Sequence, residues 1–385
     1  MPSPASRPSP LLLVAGTRPE CIKLVPVIDA MHKLGGCRLV VVNSGQHAEA
    51  VRKTFAGFGI GCDVELEPPS APTLRAAGDA IRGRIRAAID VTGAQRILVQ
   101  GDTLTAYAGA RAGREAGATV IHVEAGLRTD RATDPFPEEW LRRRIARLAD
   151  IHFAPSTSAV AHLRREGVPA GAIHHVGNTG IDTLRALLAA APDLLEPPAQ
   201  RATVLVTLHR RENWGDNADR ICDALLALAG RRPDLRLVFP VHPNPRVAPR
   251  LRARLAGRRG FDLVAPLDYA AFVRAAAQAA LVISDSGGVQ EEIPHLGTPL
   301  LVPRANTERP EAIATGFVEL VPPDPVHIVG TALARLAAPR RAPLAFDDAA
   351  PFGAVESDAP VDSAVTVVAT AAEPCAGLES SCFMQ

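Results

Sequence analysis

Ser284-Asp285-Ser286-Gly287-Gly288-Val289-Gln290-Glu291-Glu292 joins an apolar run, Leu281-Val282-Ile283, to a stretch of helical character that ends near Leu296-Gly297. A strand, a Ser-Gly-Gly turn and a helix start together make an anion site. Glycine lets backbone approach a ligand closely, and the first helical N–H groups point at it with the positive end of the helix dipole. Glu291 and Glu292, one turn in, cannot hold a phosphate but can accept hydrogen bonds from sugar hydroxyls. The combination points to a nucleotide with its ribose. An ordinary strand-to-helix turn with an acidic first turn is the competing reading.

Other reactive side chains gather just after apolar runs. Residues 11–15 lead into Gly16-Thr17-Arg18-Pro19-Glu20, where Pro19 suits a first helical position, Arg18 would meet a diphosphate and Lys23 could face the same cleft. Residues 97–100 lead into Gly101-Asp102-Thr103, and residues 120–123, with His122 just inside, into Glu124-Ala125-Gly126-Leu127-Arg128. Pro135-Phe136-Pro137-Glu138-Glu139 opens a further helix. If Asp102, Glu124 and Glu138 converge, like charges brought together out of water raise one another's proton affinity, as general acid/base catalysis requires. Taken singly, each is an ordinary cap or surface carboxylate. Farther along, residues 204–207 run into Leu208-His209-Arg210-Arg211-Glu212-Asn213, and residues 237–240 into Val241-His242-Pro243-Asn244-Pro245. His209, with two arginines and a Glu beside it, is the better catalytic candidate; His242, between Val241 and Pro243, reads as a positioned donor. Asn306-Thr307-Glu308-Arg309-Pro310-Glu311 echoes the Arg-Pro-Glu of residues 18–20 at a different spacing from its strand, so it is not a repeat.

The elements that must carry these residues follow from alternation. Apolar runs at 11–15, 39–42, 97–100, 120–123 and 151–154 are separated by Ala- and Arg-rich stretches such as 105–116. The pattern pauses at the Pro-rich 191–200 and restarts at 204–207, 235–240, 263–265, 281–284 and 299–302. It predicts two doubly wound α/β halves with parallel sheets covered on both faces, ligands at the carboxyl ends of the strands and the site in the cleft between the halves. The expected organisation is a disordered Pro/Ser-rich 1–10, a first domain over 11–190 and a linker over 191–200. A second domain over 201–340, a tail over 341–372 packing back on the first domain and disorder over 373–385 complete it.

At 385 residues the chain is long enough for two cores. A formal net charge of +1 gives no electrostatic case for nucleic acid or an acidic membrane as partner. The six cysteines show neither zinc-knuckle nor disulfide spacing, no metal site is indicated, no apolar run reaches membrane-spanning length and residues 11–15 are too short for a signal segment, so a cytoplasmic protein is expected. Basic residues are nearly all Arg; the only lysines are Lys23, Lys33 and Lys53.

Taken in order, these motifs resemble the bacterial, non-hydrolysing UDP-N-acetylglucosamine 2-epimerases. The likeness covers roughly residues 11–340 with spacing preserved, and adds Ser44-Gly45-Gln46-His47, Gly177-Asn178-Thr179 and Pro240 to the segments above. It implies two facing Rossmann-like domains of the glycosyltransferase-B kind, a UDP-sugar substrate, no cofactor and a homodimer. The reaction it implies inverts C2 of the sugar: a base removes the C2 proton as UDP leaves C1, giving a 2-acetamidoglucal, and UDP adds back. The resemblance places Asp102, Glu124, Glu138 and His209 near this chemistry. It places Arg18, Lys23, Ser286, Gly287, Gly288, Glu292 and Arg309 on UDP, with Phe272 beside the uracil. Gln46, Arg210 and His242 match residues tied to a second, activating UDP-N-acetylglucosamine in non-hydrolysing members, and His47 and Arg142 join the substrate set.

The chain departs from the family pattern in three places. Pro68-Pro69-Ser70 stands where Pro-Gly-Gln is usual, Leu141 replaces an asparagine before Arg142, and a Gly-Asp-Gly is absent after Pro351-Phe352-Gly353. The first bears on activation by a second substrate molecule, and the last on a tail that normally packs back on the first domain. A hydrolysing enzyme releasing N-acetylmannosamine and UDP, a glycosyltransferase of the same fold and a non-enzymatic nucleotide-sugar sensor are the alternatives.

Overall fold

Runs of Leu, Ile and Val too apolar to face water on either side become the interior strands of parallel sheets, and the stretches between them become the covering helices. The computed structural model describes residues 9–129, 131, 135–195, 202–241, 244 and 247–346. In the first half β1 (Leu11–Ala15), β2 (Leu39–Asn43), β3 (Val64–Glu65), β4 (Arg96–Gln100), β5 (Thr119–Val123), β6 (Ile151–Ala154) and β7 (Ile173–His175) pair in parallel, in the order β3-β2-β1-β4-β5-β6-β7. In the second half β8 (Thr203–Thr207), β9 (Arg236–Pro240), β10 (Phe261–Val264), β11 (Leu281–Ser284), β12 (Leu300–Pro303) and β13 (Val318–Val321) take the order β10-β9-β8-β11-β12-β13. These are the two Rossmann-like sheets that the alternation predicts.

Each sheet reverses its winding beside its first strand. A crevice therefore opens at the carboxyl ends of β1 and β4 and again at those of β8 and β11. The turns at these four ends begin with Gly16, Gly101, Leu208 and Asp285, so the topology delivers the motifs of Arg18, Asp102, His209 and Ser286 to one of two facing crevices.

Side-chain alternation divides each strand between two cores. Leu11, Leu13 and Ala15 pack with the helix Arg18–Leu34, while Leu12 and Val14 face the helices Leu74–Thr92 and Leu104–Ala116. Val204 and Val206 likewise separate from Leu205. One cluster crosses between the halves: Ile22 and, from the helix Thr179–Ala190, Ile181 and Leu184 lie with Val282, Val289 and Ile293. Thr183 Oγ1 ties that helix to the Ile22 carbonyl at 2.7 Å.

Strands β3, β7 and β13 were not expected from the sequence. All three are sheet edges or near-edges, two to four residues long and partly polar, and a strand paired on one side needs no continuous apolar run. Ser9 and Pro10 fall in the stretch expected to be disordered. Pro10 is instead buried and the Ser9 carbonyl accepts a hydrogen bond from Arg96 at 3.0 Å. Within the expected linker, Pro192–Leu195 forms a turn of 3-10 helix, and 196–200 lies outside the described residues. Residues 341–346 run over the second half, where Leu344 N–H donates to the Pro294 carbonyl at 2.9 Å and Phe346 stacks on His295 at 4.6 Å. The remainder of the expected tail, the expected disorder at 373–385 and His242 lie outside the described residues.

Candidate active site

Strand ends and helix starts fix the reacting groups. Thr103 caps the helix Leu104–Ala116 by accepting the Ala106 N–H at 3.0 Å, which holds the preceding Asp102 at the mouth of the first crevice. The turn after β5 puts Glu124 at φ 65°, the one non-glycine among the described residues in left-handed backbone. Such a conformation costs roughly 1–2 kcal/mol, and its presence here marks a side chain aimed by its surroundings. Gln100, closing β4, donates Nε2 to Glu124 Oε2, and the buried His122 ring shares a 2.8 Å hydrogen bond with the Gly101 carbonyl. Burial pulls the His122 imidazole down to about 3, so it is neutral and orients the Gly101 turn.

The two halves meet through ion pairs. Lys23, buried, bonds Glu124 on its own side and Glu291 Oε2 across the cleft at 3.0 Å. Arg309 reaches back to Glu124 Oε1 at 3.1 Å and also holds Glu291 and Glu308. Glu308 further pairs with Arg210 at 2.8 Å, Arg304 at 3.2 Å and Arg142 at 3.4 Å. Arg142 closes the chain on Asp102 and on Glu139 at 3.0 Å. Glu138 opens the same helix, Glu138–Ala146, and is half-buried. Away from this lattice, Glu311 accepts from Ser156 Oγ at 3.0 Å and from Ser158, a second contact between the halves.

These contacts correct two expectations. Burial, and the Glu308 carboxylate nearby, would raise the Asp102 carboxyl, but Arg142 and Arg210 beside it, with Arg309, outweigh both and hold it below its usual value. Glu291 is not available to sugar hydroxyls: burial opposes its charge, but Arg309 and Lys23 outweigh burial and keep it ionised below the usual range. Its neighbour Glu292 behaves oppositely. Burial, with Glu291 adding to it, lifts Glu292 to about 8, and Tyr269 donates its hydroxyl to it at 3.2 Å.

At the second crevice Asp285, the first residue after β11, accepts from His209 N at 2.8 Å, Arg210 N at 3.0 Å and Asn213 Nδ2 at 2.9 Å. The β8 turn is thereby locked to the β11 turn. The His209 residue keeps exposed surface, yet desolvation by the protein around it holds its imidazole below the usual value against the opposing pull of Asp285. Ser286 stands just before the short helix Gly287–Glu292 without a side-chain capping bond, and Phe272 lies half-buried on the helix Tyr269–Gln278. A Cβ on Gly287 would sit 2.5 Å from Arg309 Nη1, whereas one on Gly288 meets nothing within 4 Å. The first glycine therefore makes room for Arg309, and the second leaves open space at the helix start. Arg18 donates to the Leu267 carbonyl on the far side of the cleft. Gln46 accepts from Thr105 N at 3.0 Å and Oγ1 at 2.8 Å, while His47 is exposed.

Sequence reasoning missed Gln100, Asp285 and Glu308 as site residues. Each stood inside a motif already singled out, and a polar residue ending an apolar strand, or just past its end, was the available signal for the first two. Among the described residues no group of three or more His, Cys, Asp or Glu side chains could hold a metal ion, and no helix is long and apolar enough to cross a membrane.

A family model described as UDP-N-acetylglucosamine 2-epimerase matches residues 29–362 of the chain. UDP-N-acetylglucosamine 2-epimerase from Yersinia pestis is 39% identical over 324 residues, covering 81% of this chain and 86% of its own, and that from Campylobacter jejuni is 35% identical over 81% and 85%. The crystal structure of the Neisseria meningitidis UDP-GlcNAc 2-epimerase bound to UDP-GlcNAc has a TM-score of 0.81 at 30% identity, over 94% of this chain and 98% of the other. The Methanocaldococcus jannaschii enzyme in complex with UDP-GlcNAc and UDP scores 0.82 at 28% identity, over 94% and 99%. The glycosyltransferase SnogD from Streptomyces nogalater, at 13% identity and a TM-score of 0.54, shares the fold alone. With two facing Rossmann-like sheets, and with sequence likeness running through both of them, the chain belongs to the UDP-N-acetylglucosamine 2-epimerase family.

Proposed function

We propose that the protein reversibly epimerises C2 of UDP-N-acetylglucosamine, or of a closely related UDP-2-acetamido sugar, by the non-hydrolysing route. The observation that carries this reading is the 3.1 Å contact between Glu124 of the first half and Arg309 of the second. It puts a carboxylate fit for proton transfer beside a cation fit for a diphosphate. The Neisseria and Methanocaldococcus relatives, solved with UDP-GlcNAc, support the substrate class.

In the forward direction the C2–H and C1–O bonds break, C1 and C2 become doubly bonded, and UDP departs with the electron pair of C1–O. Asp102, Glu124, Glu138 and His209 supply and receive the proton. Arg18, Lys23 and Arg309, with the N–H groups that Ser286, Gly287 and Gly288 present, take the charge that develops on the leaving diphosphate. Glu292, protonated near neutrality, hydrogen-bonds the ribose, and Phe272 lies along the uracil. The bound diphosphate competes with Glu124 for Lys23 and Arg309. Cations drawn onto the diphosphate leave the Glu124 oxygens free to face C2. Re-addition of UDP with protonation on the opposite face of C2 gives the manno epimer. His47, Gln46, Arg142, Arg210 and His242 complete the substrate-binding set.

Proton NMR in deuterium oxide tests the reading. Deuterium should enter C2 of both epimers, and folded enzyme that incorporates none refutes the proposal. One-way release of UDP with free N-acetylmannosamine would point to the hydrolysing route instead. Asp102→Asn and Glu124→Gln should abolish exchange while UDP affinity persists, since neither change removes a cation.

A further inference from the structure

We propose that Glu308 is a positioning residue: this buried carboxylate of the second half sets Arg142 against Asp102 and Arg309 against Glu124, and so aligns the proton-transferring groups of the first half. The inference rests on the epimerase reading above.

The Glu308 side chain is fully buried and lies among four guanidinium groups, those of Arg142, Arg210, Arg304 and Arg309. Two of these have a second partner that matters. Arg142 comes from the first half and pairs with Asp102; Arg309 comes from the second half and pairs with Glu124. A single carboxylate is thus the shared anchor of both arginines that touch proposed proton-transfer groups. Burial alone would raise its pKa, but Arg210, Arg309, Arg142 and Arg304 hold it well below the carboxylate range, so it is an anion throughout the working pH range.

The four guanidinium groups crowd this carboxylate without all being aligned to hydrogen-bond it. Among the described residues, Glu308 Oε2, Arg142 Nη2 and both Nη atoms of Arg304 are buried without a hydrogen-bond partner, held by charge. Such contacts fix where the guanidinium groups sit and leave donor capacity to spare for an incoming anion. Glu308 thereby orders the arginines without saturating them, and its effect on Asp102 and Glu124 passes through Arg142 and Arg309.

The test is Glu308→Gln, with Glu308→Asp beside it, read by circular dichroism, by calorimetric binding of UDP and by steady-state C2 deuterium exchange. The amide keeps the shape and removes the charge. Exchange kcat should fall about 30-fold while UDP binds as tightly as in the parent or up to about 5-fold tighter, because Arg210 and Arg309 lose a competing anion. Asp keeps the charge on a shorter arm and should recover part of the loss, to about 10-fold below the parent. A mere buried counter-ion would lower stability, affinity and rate together. Exchange within about 3-fold of the parent in both variants, parallel loss of UDP affinity and kcat, or failure of both to fold overturns the inference. If only Glu308→Gln fails to fold, the Asp variant decides by the same split. An inactive parent overturns the epimerase reading and this inference with it, whereas an active parent with unaffected variants overturns the inference alone.

Discussion

The two adjacent glycines of the β11 turn should respond to alanine in different ways, and the difference can be worked from the structure. At Gly287 the added Cβ would lie 2.5 Å from Arg309 Nη1, 2.6 Å from Cζ and 3.0 Å from Nη2, well inside the 3.4 Å where ordinary contact begins. The end of an arginine normally swings aside at little cost, but this one is 5% exposed and tied to Glu124, Glu291 and Glu308. To make room it must give up at least one charge-assisted hydrogen bond, worth about 1.5–3 kcal/mol. Alanine's better helix propensity returns at most about 1 kcal/mol, and less at a first helical position. Gly287→Ala should therefore lower stability by about 1–2 kcal/mol and, by displacing Arg309, weaken UDP roughly 10- to 30-fold. At Gly288 the Cβ enters open space, so Gly288→Ala should keep or slightly raise stability. It should still weaken UDP by about tenfold or more if the diphosphate approaches this helix start closely. Urea denaturation and calorimetric titration with UDP read both effects. A Gly287→Ala protein that unfolds and binds like the parent would refute the crowding of Arg309. Unchanged UDP affinity in Gly288→Ala would refute the approach of the diphosphate to this turn.

Arg309→Ala leaves Glu291 and Glu308 buried with one cation fewer, and should cost about 3 kcal/mol in urea titrations as well as weakening UDP. Arg309→Lys should rescue little of either, because a point charge cannot reach three carboxylates as a guanidinium fork does. Glu20 gives a pH signature. It accepts from Gly16 N at 2.8 Å and Thr103 Oγ1 at 2.6 Å, yet burial lifts its carboxyl to about 7. A folded pKa above the unfolded value, about 4.3, means that its stabilising contribution is complete below that value and is lost as pH rises through 7. Melting temperature should thus fall between about pH 5 and 8, and Glu20→Gln should flatten part of that slope, with the share due to Glu292 left in place. An unchanged slope in Glu20→Gln would show that this carboxyl does not titrate in that range.

Much was legible from local pattern alone. Strands β1, β6 and β11 have the expected ends, and most of the others differ by a residue or two, because a strand buried on both faces must be apolar throughout and its limits show as changes in composition. Pro19 falls in the first turn of its helix, one residue past the expected first position, and Asp102, Glu124 and His209 stand in the turns at strand ends where the alternation put them. The edge strands β3, β7 and β13 escaped because one-sided pairing makes no demand on composition.

Partnership could not be read this way. Lys23 and Glu291 are 268 residues apart, Arg309 and Glu124 185, and nothing local in either segment announces the other. Glu291 and Glu292 are neighbours of the same residue type one turn into a helix, yet one is held ionised by Arg309 and Lys23 while the other is lifted to about 8. Gly287 and Gly288 likewise look equivalent in the chain, and only Arg309, brought up from the turn after β12, separates them. Which residue types are present, and at which strand ends, is a property of short segments and their periodicity. Whether a carboxylate carries charge, and what a glycine makes room for, depends on how two sheets face each other, because Coulomb energy and excluded volume act through space rather than along the chain.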